Sequence, residues 1–334
     1  MKIFISGATG YIGNKLAIQL AEEGHSIHAL CRSENKKQLL NHPNIEIFEG
    51  EITNAVAVEK AMQECDQAYH LAAYARVWAR NPSVFYRINV EGTRIILDAA
   101  KKMNVQKIVV TSTAGVLGPS RDRPVQESDT RIGNIFNEYE DTKIQAEALC
   151  KEYCTNYSMH IVIVNPPRVY GPGILTESNA VSRMMSLYLK GKWKIIPGDG
   201  KRTGSYVYID DVVNGHRLAM QNGRSGERYL LSGVNASYNE FFDLLEKITG
   251  KKVRLYHFPV GLMMTAGYAI MAYTKLTGRP PLLTPAWIKK YFYDWSSSCE
   301  KAKTELGYTY ISLEEGLAKT VEWLEQQGEL KMIK

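Results

Sequence analysis

Metal-ligand clusters, cysteine pairs and basic stripes are all absent from this sequence of 334 residues. Its five cysteines include no CxxC pair, and its seven histidines lack ligand spacing. We therefore expect a reducing compartment, with neither a disulfide framework nor a metal site. The net charge of +6 comes from scattered lysine pairs rather than from one basic face, so we expect no nucleic-acid partner.

Long hydrophobic runs are also scarce. The opening segment MKIFISGATG shows no secretory-signal pattern, which favours a cytoplasmic location. Residues 258–274, FPVGLMMTAGYAIMAYT, are uncharged but short for a membrane span of about 20 residues. We predict no membrane span and instead a helix that covers an apolar substrate cleft; peripheral contact with a membrane is the alternative.

The first half of the chain alternates apolar strands with amphipathic helices. The predicted strands are residues 2–6, 27–31, 45–48, 68–71, 108–112 and 161–164. The predicted helices are residues 11–23, 55–64, 84–103 and 138–157. Strands joined by helices in this way are typical of a parallel sheet, so we predict an α/β fold, a Rossmann-type doubly wound parallel sheet.

This alternation stops after Pro166. Beyond it we predict a loop at 166–173, a strand at 206–209, and helices at 180–190, 238–249 and 313–325. The predicted organisation is a cofactor domain over residues 1–165, to which 206–222 returns, and a smaller, discontinuous C-terminal substrate lobe over 166–205 and 223–334.

A glycine-rich turn lies between the first predicted strand and the first predicted helix, with the spacing GxxGxxG. Glycines let the chain turn tightly and let a pyrophosphate approach the backbone, where the first N–H groups of the helix can bind it. The alternative is a purely structural turn. The residues predicted to contact a dinucleotide here are Gly7, Thr9, Gly10, Tyr11, Ile12 and Gly13.

The end of the second strand bears on the choice of cofactor. NAD enzymes commonly place an acidic residue there to bind the ribose hydroxyls, whereas this chain has Cys31 followed by Arg32, with Lys36 nearby. An arginine can bind a 2′-phosphate through two hydrogen bonds. The pattern favours NADP, with NAD as the alternative cofactor; a merely solvated arginine would carry no such preference.

Tyr139 and Lys143 form a YxxxK pair, one turn apart on the predicted helix 138–157. Reduction of a ketone requires a proton donor, and a lysine charge near a phenol lowers the pKa of that phenol. We therefore predict that Tyr139 is the acid/base and that Lys143 lowers its pKa.

The same pattern occurs twice more, at Tyr11/Lys15 and Tyr188/Lys192, where we expect structural roles. Tyr139 differs because Thr111-Ser112-Thr113 ends a strand at the sheet edge where open α/β proteins bind ligands. A hydroxyl there can hydrogen-bond the substrate oxygen, although a simple turn at the strand end is the alternative for this segment.

Seven short motifs stand in the order found in the extended short-chain dehydrogenase/reductase family, part of the NAD-dependent epimerase/dehydratase superfamily. The chain resembles that family over essentially its whole length. The run PLLTPAWIKKYFYDWSSSCEKAKTELGY (281–308) is most similar to the dihydroflavonol-reductase-like branch, which includes farnesol dehydrogenases. The seven motifs are SGATGYIG (6–13), HLAA (70–73), NVEGT (89–93), VVTSTAG (109–115), YEDTK (139–143), PPRVYGPG (166–173) and YVYIDDV (206–212).

The resemblance implies roles for particular residues. Thr113 takes the place of the family's catalytic serine, and Tyr139 and Lys143 take those of its acid/base pair. Asn89 would brace the loop beside the cofactor. The further residues that the resemblance places at the cofactor are Glu51 and Ile52 near the adenine, Leu71, Ala72, Ala73 and Thr111 along it, and Pro166 and Val169 beside the nicotinamide.

The sequence and the resemblance together predict an oxidoreductase. It would transfer a hydride between NAD(P) and a carbonyl or a secondary or allylic alcohol of a small, apolar substrate, and the family implies a homodimer. An apolar substrate is suggested by Met263, Met264, Tyr268, Met271, Tyr273, Trp193 and Trp287, which could equally form the core of the lobe. The alternatives are a nucleotide-sugar epimerase with tightly bound NAD and a non-catalytic NADP-binding redox sensor.

Overall fold

The computed structural model of the protein describes residues 1–174, 179–281 and 283–332. The predicted substrate lobe includes residues 175–178, 282, 333 and 334, which lie outside the described residues. A parallel sheet of seven strands forms the centre, in the spatial order β10-β6-β5-β4-β1-β2-β3. Its strands are β1 (Lys2–Ser6), β2 (Ser26–Cys31), β3 (Ile45–Glu49), β4 (Gln67–His70), β5 (Lys107–Thr111), β6 (Ile161–Asn165) and β10 (Arg228–Leu230).

Helices cover both faces of this sheet, which is why strands such as β6, with the sequence IVIVN, are buried along their whole length. A π-helical turn at Arg87–Glu91 joins α3 to α4, so these two helices run on as one. The helices of the described part are α1 (Tyr11–Glu22), α2 (Ala55–Met62), α3 (Ser83–Tyr86), α4 (Gly92–Lys102), α5 (Glu138–Tyr157), α6 (Ala180–Leu189), α7 (Ile209–Asn222), α8 (Tyr238–Thr249), α9 (Val260–Thr277), α10 (Pro285–Ile288), α11 (Glu300–Leu306) and α12 (Leu313–Met332).

The strands are all parallel, but the side on which successive strands are added to the sheet changes at β1. Strands β2 and β3 extend to one side of β1, and β4, β5 and β6 extend to the other. Open parallel sheets bind ligands above the carboxyl ends of their strands at such a switch point. The predicted Rossmann-type α/β fold is confirmed, and its topology places a ligand crevice above β1 and β4.

Two small sheets lie beside the main one. Strand β9 (Thr203–Tyr208) is central in a three-stranded sheet, with β7 (Arg168–Tyr170) and β11 (Val234–Ser237) on either side. The strands β8 (Ile195–Pro197) and β12 (Tyr256–Phe258) pair with each other. The predicted strand at 206–209 therefore belongs to β9, and helix α7, which follows it, packs against α1, β5 and β6 of the cofactor domain.

The position of strand β10 does not follow the predicted domain division. Residues 228–230 were predicted in the substrate lobe, yet they pair in parallel with β6 at the edge of the main sheet. A strand of three residues carries too short a pattern to be predicted from local sequence. Within the described ranges, no helix is long and apolar enough to cross a membrane.

Two buried histidines link the main sheet to the helices. His216 on α7 faces the Val212 carbonyl through Nδ1 at 2.7 Å and Thr111 Oγ1 through Nε2 at 2.8 Å. Because a carbonyl can only accept, Nδ1 carries the proton and Nε2 accepts from Thr111. His70 on β4 lies between Ser6 Oγ, at 2.7 Å, and Thr93 Oγ1, at 3.0 Å. Burial lowers the pKa of His216 to about 4 and that of His70 to about 3.

These pKa values predict a loss of stability in mild acid. The unfolded chain takes up protons at its histidines as the pH falls below about 6.5, before the folded protein does, so the stability that the neutral imidazoles contribute is lost between pH 6.5 and about 4. His216→Gln cannot titrate and can still accept from Thr111, so it should remove about 3 kcal/mol of this pH dependence.

Thermal unfolding followed between pH 7.5 and pH 4 tests this expectation. The curve of unfolding temperature against pH should be shallower for His216→Gln than for the wild type. The exposed His257 offers a matched control, because His257→Gln should keep the wild-type slope. Equal slopes in all three proteins would contradict the account.

Candidate active site

A crevice of about 500 Å³ lies above the carboxyl ends of the central strands. It brings together residues that are far apart in the sequence, from the turn after β1 to the segment after β6. Most of the residues predicted from the sequence line it: Gly7, Thr9, Gly10, Tyr11, Ile12, Gly13, Arg32, Lys36, Glu51, Ile52, Leu71, Ala72, Ala73, Thr111, Thr113, Tyr139, Pro166 and Val169. Asn89 and Lys143 lie behind this wall rather than on it.

The glycine turn forms one end of the crevice. Gly7 has a φ of +79°, and a Cβ there would clash with the backbone of Leu71 and Ala72, which follow β4. A Cβ on Gly13 would clash with the Gly7 carbonyl. Helix α1 begins after Gly10 with no side-chain cap, so its first N–H groups point at the crevice. A pyrophosphate fits this cradle, because it needs bare backbone and a helix N-terminus.

The outer end of the crevice carries exposed positive charge. Arg32 and Lys36 line it and are exposed, and no carboxylate of the described residues lies within ion-pair distance of either. Lys37, by contrast, is paired with Glu34 at 2.5 Å and with Glu49 at 3.3 Å. The buried Cys31 stands where an acidic residue would face a ribose. This end of the crevice therefore carries positive charge that no carboxylate of the described residues neutralises.

Asn89 holds the loop behind the crevice, within the π-helical turn. Its Oδ1 accepts from the Tyr74 N–H at 2.7 Å, and its Nδ2 donates to Thr142 Oγ1 at 3.0 Å. The side chain thus connects the loop after β4 to the first turns of α5. Such π-turns are frequent at functional sites, and this one holds the wall that Ala72 and Ala73 line.

Thr113 presents a hydroxyl from the turn after β5. Its Oγ1 accepts from the Gly115 N–H at 3.2 Å, which leaves the hydroxyl hydrogen free to donate. Its carbonyl accepts from Asn165 Nδ2 at 3.0 Å, which fixes the backbone of the turn. The neighbouring Ser112 also lines the crevice, and its buried Oγ has no hydrogen-bond partner among the described residues. Sequence reasoning did not single out Ser112.

Tyr139 and Lys143 are one turn apart on α5, but their polar groups point to different neighbours. Tyr139 lines the crevice. Lys143 is only 2% exposed, and its Nζ donates to the Thr111 carbonyl at 2.7 Å. Burial lowers the pKa of Lys143. The ammonium therefore stabilises the end of β5.

The expected lowering of the Tyr139 pKa is wrong for this arrangement. Burial, with a smaller contribution from the charge of Glu140, raises the pKa of Tyr139 to about 12. Spacing along a helix predicts that two side chains share a face, but it does not predict burial or the direction in which a flexible ammonium points. The phenol consequently keeps its proton at neutral pH.

A buried ion-pair cluster fixes the start of α5. Glu140, 1% exposed, lies between Arg131 and Lys290, with oxygen–nitrogen distances of 2.8 and 2.5 Å. Arg131 also donates to the Gly115 carbonyl at 2.5 Å. Lys290 packs over the rings of Trp287 and Trp295. This cluster connects Tyr139's helix to the turn that carries Thr113 and to the C-terminal segment, so it holds the two crevice residues in one geometry.

The helix predicted to cover the crevice does not line it. Helix α9 contains residues 260–274, yet no residue of 258–274 is among those that line the crevice. Its Tyr268 and Tyr273 are more than half exposed, and Trp193 stacks with Phe242 in the core instead. Of the apolar residues proposed from the sequence, Trp287 alone lines the crevice; α9 packs against α10, which carries it. An uncharged sequence could not distinguish a cleft from an outer surface.

The fold and the crevice together define a Rossmann-type protein whose site fits a dinucleotide. The sequence agrees: residues 3–232 match the model of the NAD dependent epimerase/dehydratase family, so the chain belongs to that family of enzymes. The predicted membership of the extended short-chain dehydrogenase/reductase family is thereby confirmed.

Similar proteins include reductases and epimerases. A protein of Synechocystis sp., provisionally named dihydroflavonol 4-reductase, is 27% identical, and the match covers 98% of this chain and 96% of that protein. The 4-hydroxy-2-methyl-3-oxo-4-farnesyl-3,4-dihydroquinoline-1-oxide ketoreductase of Stigmatella aurantiaca is 28% identical, over 92% of each chain. The structure of UDP-glucuronic acid 4-epimerase from Bacillus cereus in complex with NAD is 26% identical and superposes with a TM-score of 0.79, covering 98% of this chain and 99% of that one.

The glycine cradle can be tested by adding a single methyl group. Gly13→Ala should weaken NADPH binding at least tenfold, because the new Cβ would displace the Gly7 carbonyl and open the turn. Binding is measured by NADPH fluorescence. Gly261→Ala is the matched control, since a Cβ there meets open space. Wild-type affinity in a folded Gly13→Ala protein would show that the turn does not bind the nucleotide.

Proposed function

We propose that this protein is an NAD(P)-dependent alcohol dehydrogenase or ketoreductase acting on the CH–OH or carbonyl group of a small, apolar substrate. The observation that carries the proposal is the arrangement of the crevice. A glycine cradle for a pyrophosphate, the Tyr139 phenol and the Thr113 hydroxyl all open into one space. A site that only binds a nucleotide has no need of two hydroxyl groups beside the position of the nicotinamide.

The proposed chemistry divides between cofactor and protein. The nicotinamide, when bound, supplies or accepts the hydride. Tyr139, whose phenol is protonated at neutral pH, donates the proton that a reduced carbonyl oxygen requires. Thr113 donates a hydrogen bond to the same oxygen and orients it. Alcohol oxidation uses the same residues in reverse, with the deprotonated phenol accepting the proton of the alcohol.

Lys143 acts from behind the phenol in this proposal. Its ammonium is buried near the end of β5, and a positive charge there stabilises any negative charge that develops on Tyr139 during proton transfer. The family resemblance would also place this lysine at the nicotinamide ribose, but in this structure its Nζ donates to the Thr111 carbonyl behind the crevice wall. The remaining cofactor residues all line the crevice; we propose Arg32 and Glu51 for the adenosine end and Pro166 and Val169 for the nicotinamide end.

NADP is the cofactor that the charges favour. Arg32 and Lys36 supply two positive charges at the end of β2 without a neighbouring carboxylate, as a 2′-phosphate requires. The similar epimerase structure contains NAD, which makes NAD the alternative.

Apolar side chains that line the crevice, among them Val77, Val181 and Trp287, support an apolar substrate, as does the similarity to the farnesyl-dihydroquinoline ketoreductase.

Nucleotide-sugar epimerization is the second candidate, because a similar solved structure is that of an epimerase with NAD. An epimerase retains its dinucleotide through the catalytic cycle, whereas a dehydrogenase exchanges it. The absorbance of the purified protein separates the two: retained nicotinamide supports the epimerase, and an exchangeable cofactor supports the dehydrogenase.

The catalytic assignment is tested by removing one oxygen atom. In a screen of hydrophobic ketones and alcohols with NADPH and NADH, Tyr139→Phe should lower kcat by about 10²- to 10⁴-fold, since the proton donor is lost. Its NADPH affinity should stay within about twofold of the wild type. Tyr188→Phe is the control, because that phenol is buried and bonds to the Lys251 carbonyl outside the crevice. Full turnover by Tyr139→Phe would remove the assignment.

Cofactor choice is tested at the two unpaired cations. Arg32→Gln with Lys36→Gln should raise the Kd for NADPH by roughly 10²- to 10⁴-fold, because charge-assisted bonds to a phosphate each contribute about 1.5–3 kcal/mol. The Kd for NADH should change little. Lys37→Gln, which removes a lysine already paired with glutamates, should leave the ratio of the two Kd values unaltered. A parallel loss of both cofactors in the double variant would argue against NADP.

A further inference from the structure

Arg168 is a positively charged residue in the crevice for which the proposed reaction has no use. It is the first residue of β7 and follows Pro166 and Pro167. It lines the same space as Tyr139, Thr113 and Trp287. Arg168 therefore shares the crevice with the residues to which the proposed function assigns the substrate.

The surroundings of Arg168 hold its guanidinium in a fixed orientation. Its Nη1 donates to Tyr206 Oη at 2.9 Å, and the group lies over the rings of Tyr206 and Tyr238. Gly204, on the neighbouring strand β9, leaves room for it, because a Cβ at Gly204 would overlap the guanidinium. A side chain with many rotamers is thus restricted to one position before any ligand arrives, which reduces the entropy lost on binding.

These neighbours provide aromatic surface but no negative charge. Tyr206 Oη is the single hydrogen-bond acceptor that Arg168 meets among the described residues, although a guanidinium has five N–H donors. No carboxylate of the described ranges lies within ion-pair distance of it. A partly buried cation is unfavourable unless an anion pairs with it.

The acidic group that follows Tyr139 on α5 is already paired with other cations. Glu140 pairs with both Arg131 and Lys290. Burial lowers the pKa of Lys290, and the charges of Arg168 and Arg131 lower it further, against the opposing effect of Glu140. Arg168 is therefore within electrostatic reach of Lys290. Glu140 thus pairs with two cations of the described residues, while Arg168 adds a third positive charge to this group.

We propose that Arg168 binds a carboxylate of the substrate, so that the substrate is an apolar oxo or hydroxy acid. This inference rests on the proposed function, because it names the substrate class for the same site. The planar fork of a guanidinium matches the two oxygens of a carboxylate, while the apolar side chains around it, such as Val181 and Trp287, suit the rest of such a molecule. Binding would supply the anion that the protein does not provide and would direct the carbonyl towards Tyr139.

The experiment compares acids with their own methyl esters. The probes are 4-oxocyclohexanecarboxylate and 4-acetylbenzoate, each beside its methyl ester, assayed with NADPH. Calorimetry on the NADPH-loaded protein measures binding independently of turnover. The wild type should prefer each acid to its ester by roughly 10- to 100-fold in kcat/KM, as expected for a charge-assisted pair of hydrogen bonds. If kcat/KM for the esters equals or exceeds that for the acids, the inference is overturned, while the proposed function stays intact.

Variants of Arg168 test whether the preference for acids over esters depends on this residue. Arg168→Gln should bring the acid-to-ester ratio close to one, and Arg168→Lys should restore part of it, since the charge returns without the fork. Arg224→Gln, at an exposed ion pair with Glu305, should keep the wild-type ratio. If Arg168 were only a structural tie to Tyr206, Arg168→Gln would lower acid and ester turnover together and the ratio would not change.

Three further outcomes distinguish failure of this inference from failure of the proposed function. Tyr206→Phe removes the phenol oxygen but keeps the guanidinium, so it should preserve the preference for acids even if Arg168→Gln fails to fold; loss of that preference would count against the inference. If no carbonyl compound is turned over but the acids bind in an Arg168-dependent way, the carboxylate site stands and the redox function falls. Arg168-dependent binding of UDP-glucose, with no acid binding, would replace the carboxylate by a diphosphate and overturn the inference.

Discussion

The close approach of the turn after β1 to the chain after β4 determines the shape of the whole site. Gly7 lies so near the backbone of Leu71 and Ala72 that no side chain fits between them, and Gly13 lies against the Gly7 carbonyl. These contacts direct the first turn of α1 towards the crevice and determine how deep the crevice is. Any side chain at either glycine would separate the first strand from the fourth and would occupy the space that a pyrophosphate needs.

The residues at the inner end of the crevice are held from two directions. Glu140 connects α5 to Arg131 and to Lys290 of the C-terminal segment, and the Tyr11 phenol donates to the Gly171 carbonyl beyond β7 at 2.9 Å. Both connections join the cofactor domain to segments that follow it in the sequence. The positions of Tyr139 and of Arg168 therefore depend on contacts between the parts of the chain, and the residues proposed to act on a substrate are positioned before it binds.

Much of the fold follows from local patterns. The bounds predicted for α5 and for β1 are the observed ones, and the glycine turn stands where its spacing placed it. The short strand β10, the outward face of α9 and the orientation of Lys143 could not be predicted in the same way, because each depends on packing between segments distant in the sequence. The raised pKa of Tyr139 has the same origin, since burial is a property of the folded chain rather than of helical spacing.

The central claim is that the Tyr139 phenol faces the reactive ring of a bound dinucleotide. A crystal structure of the complex with NADPH tests it most directly. We expect the pyrophosphate at the first turn of α1 and the nicotinamide between Tyr139 and the segment Pro166–Val169, with the phenolic oxygen directed at the space beside the ring. A dinucleotide bound elsewhere, or a phenol turned away from the nicotinamide, would contradict the account.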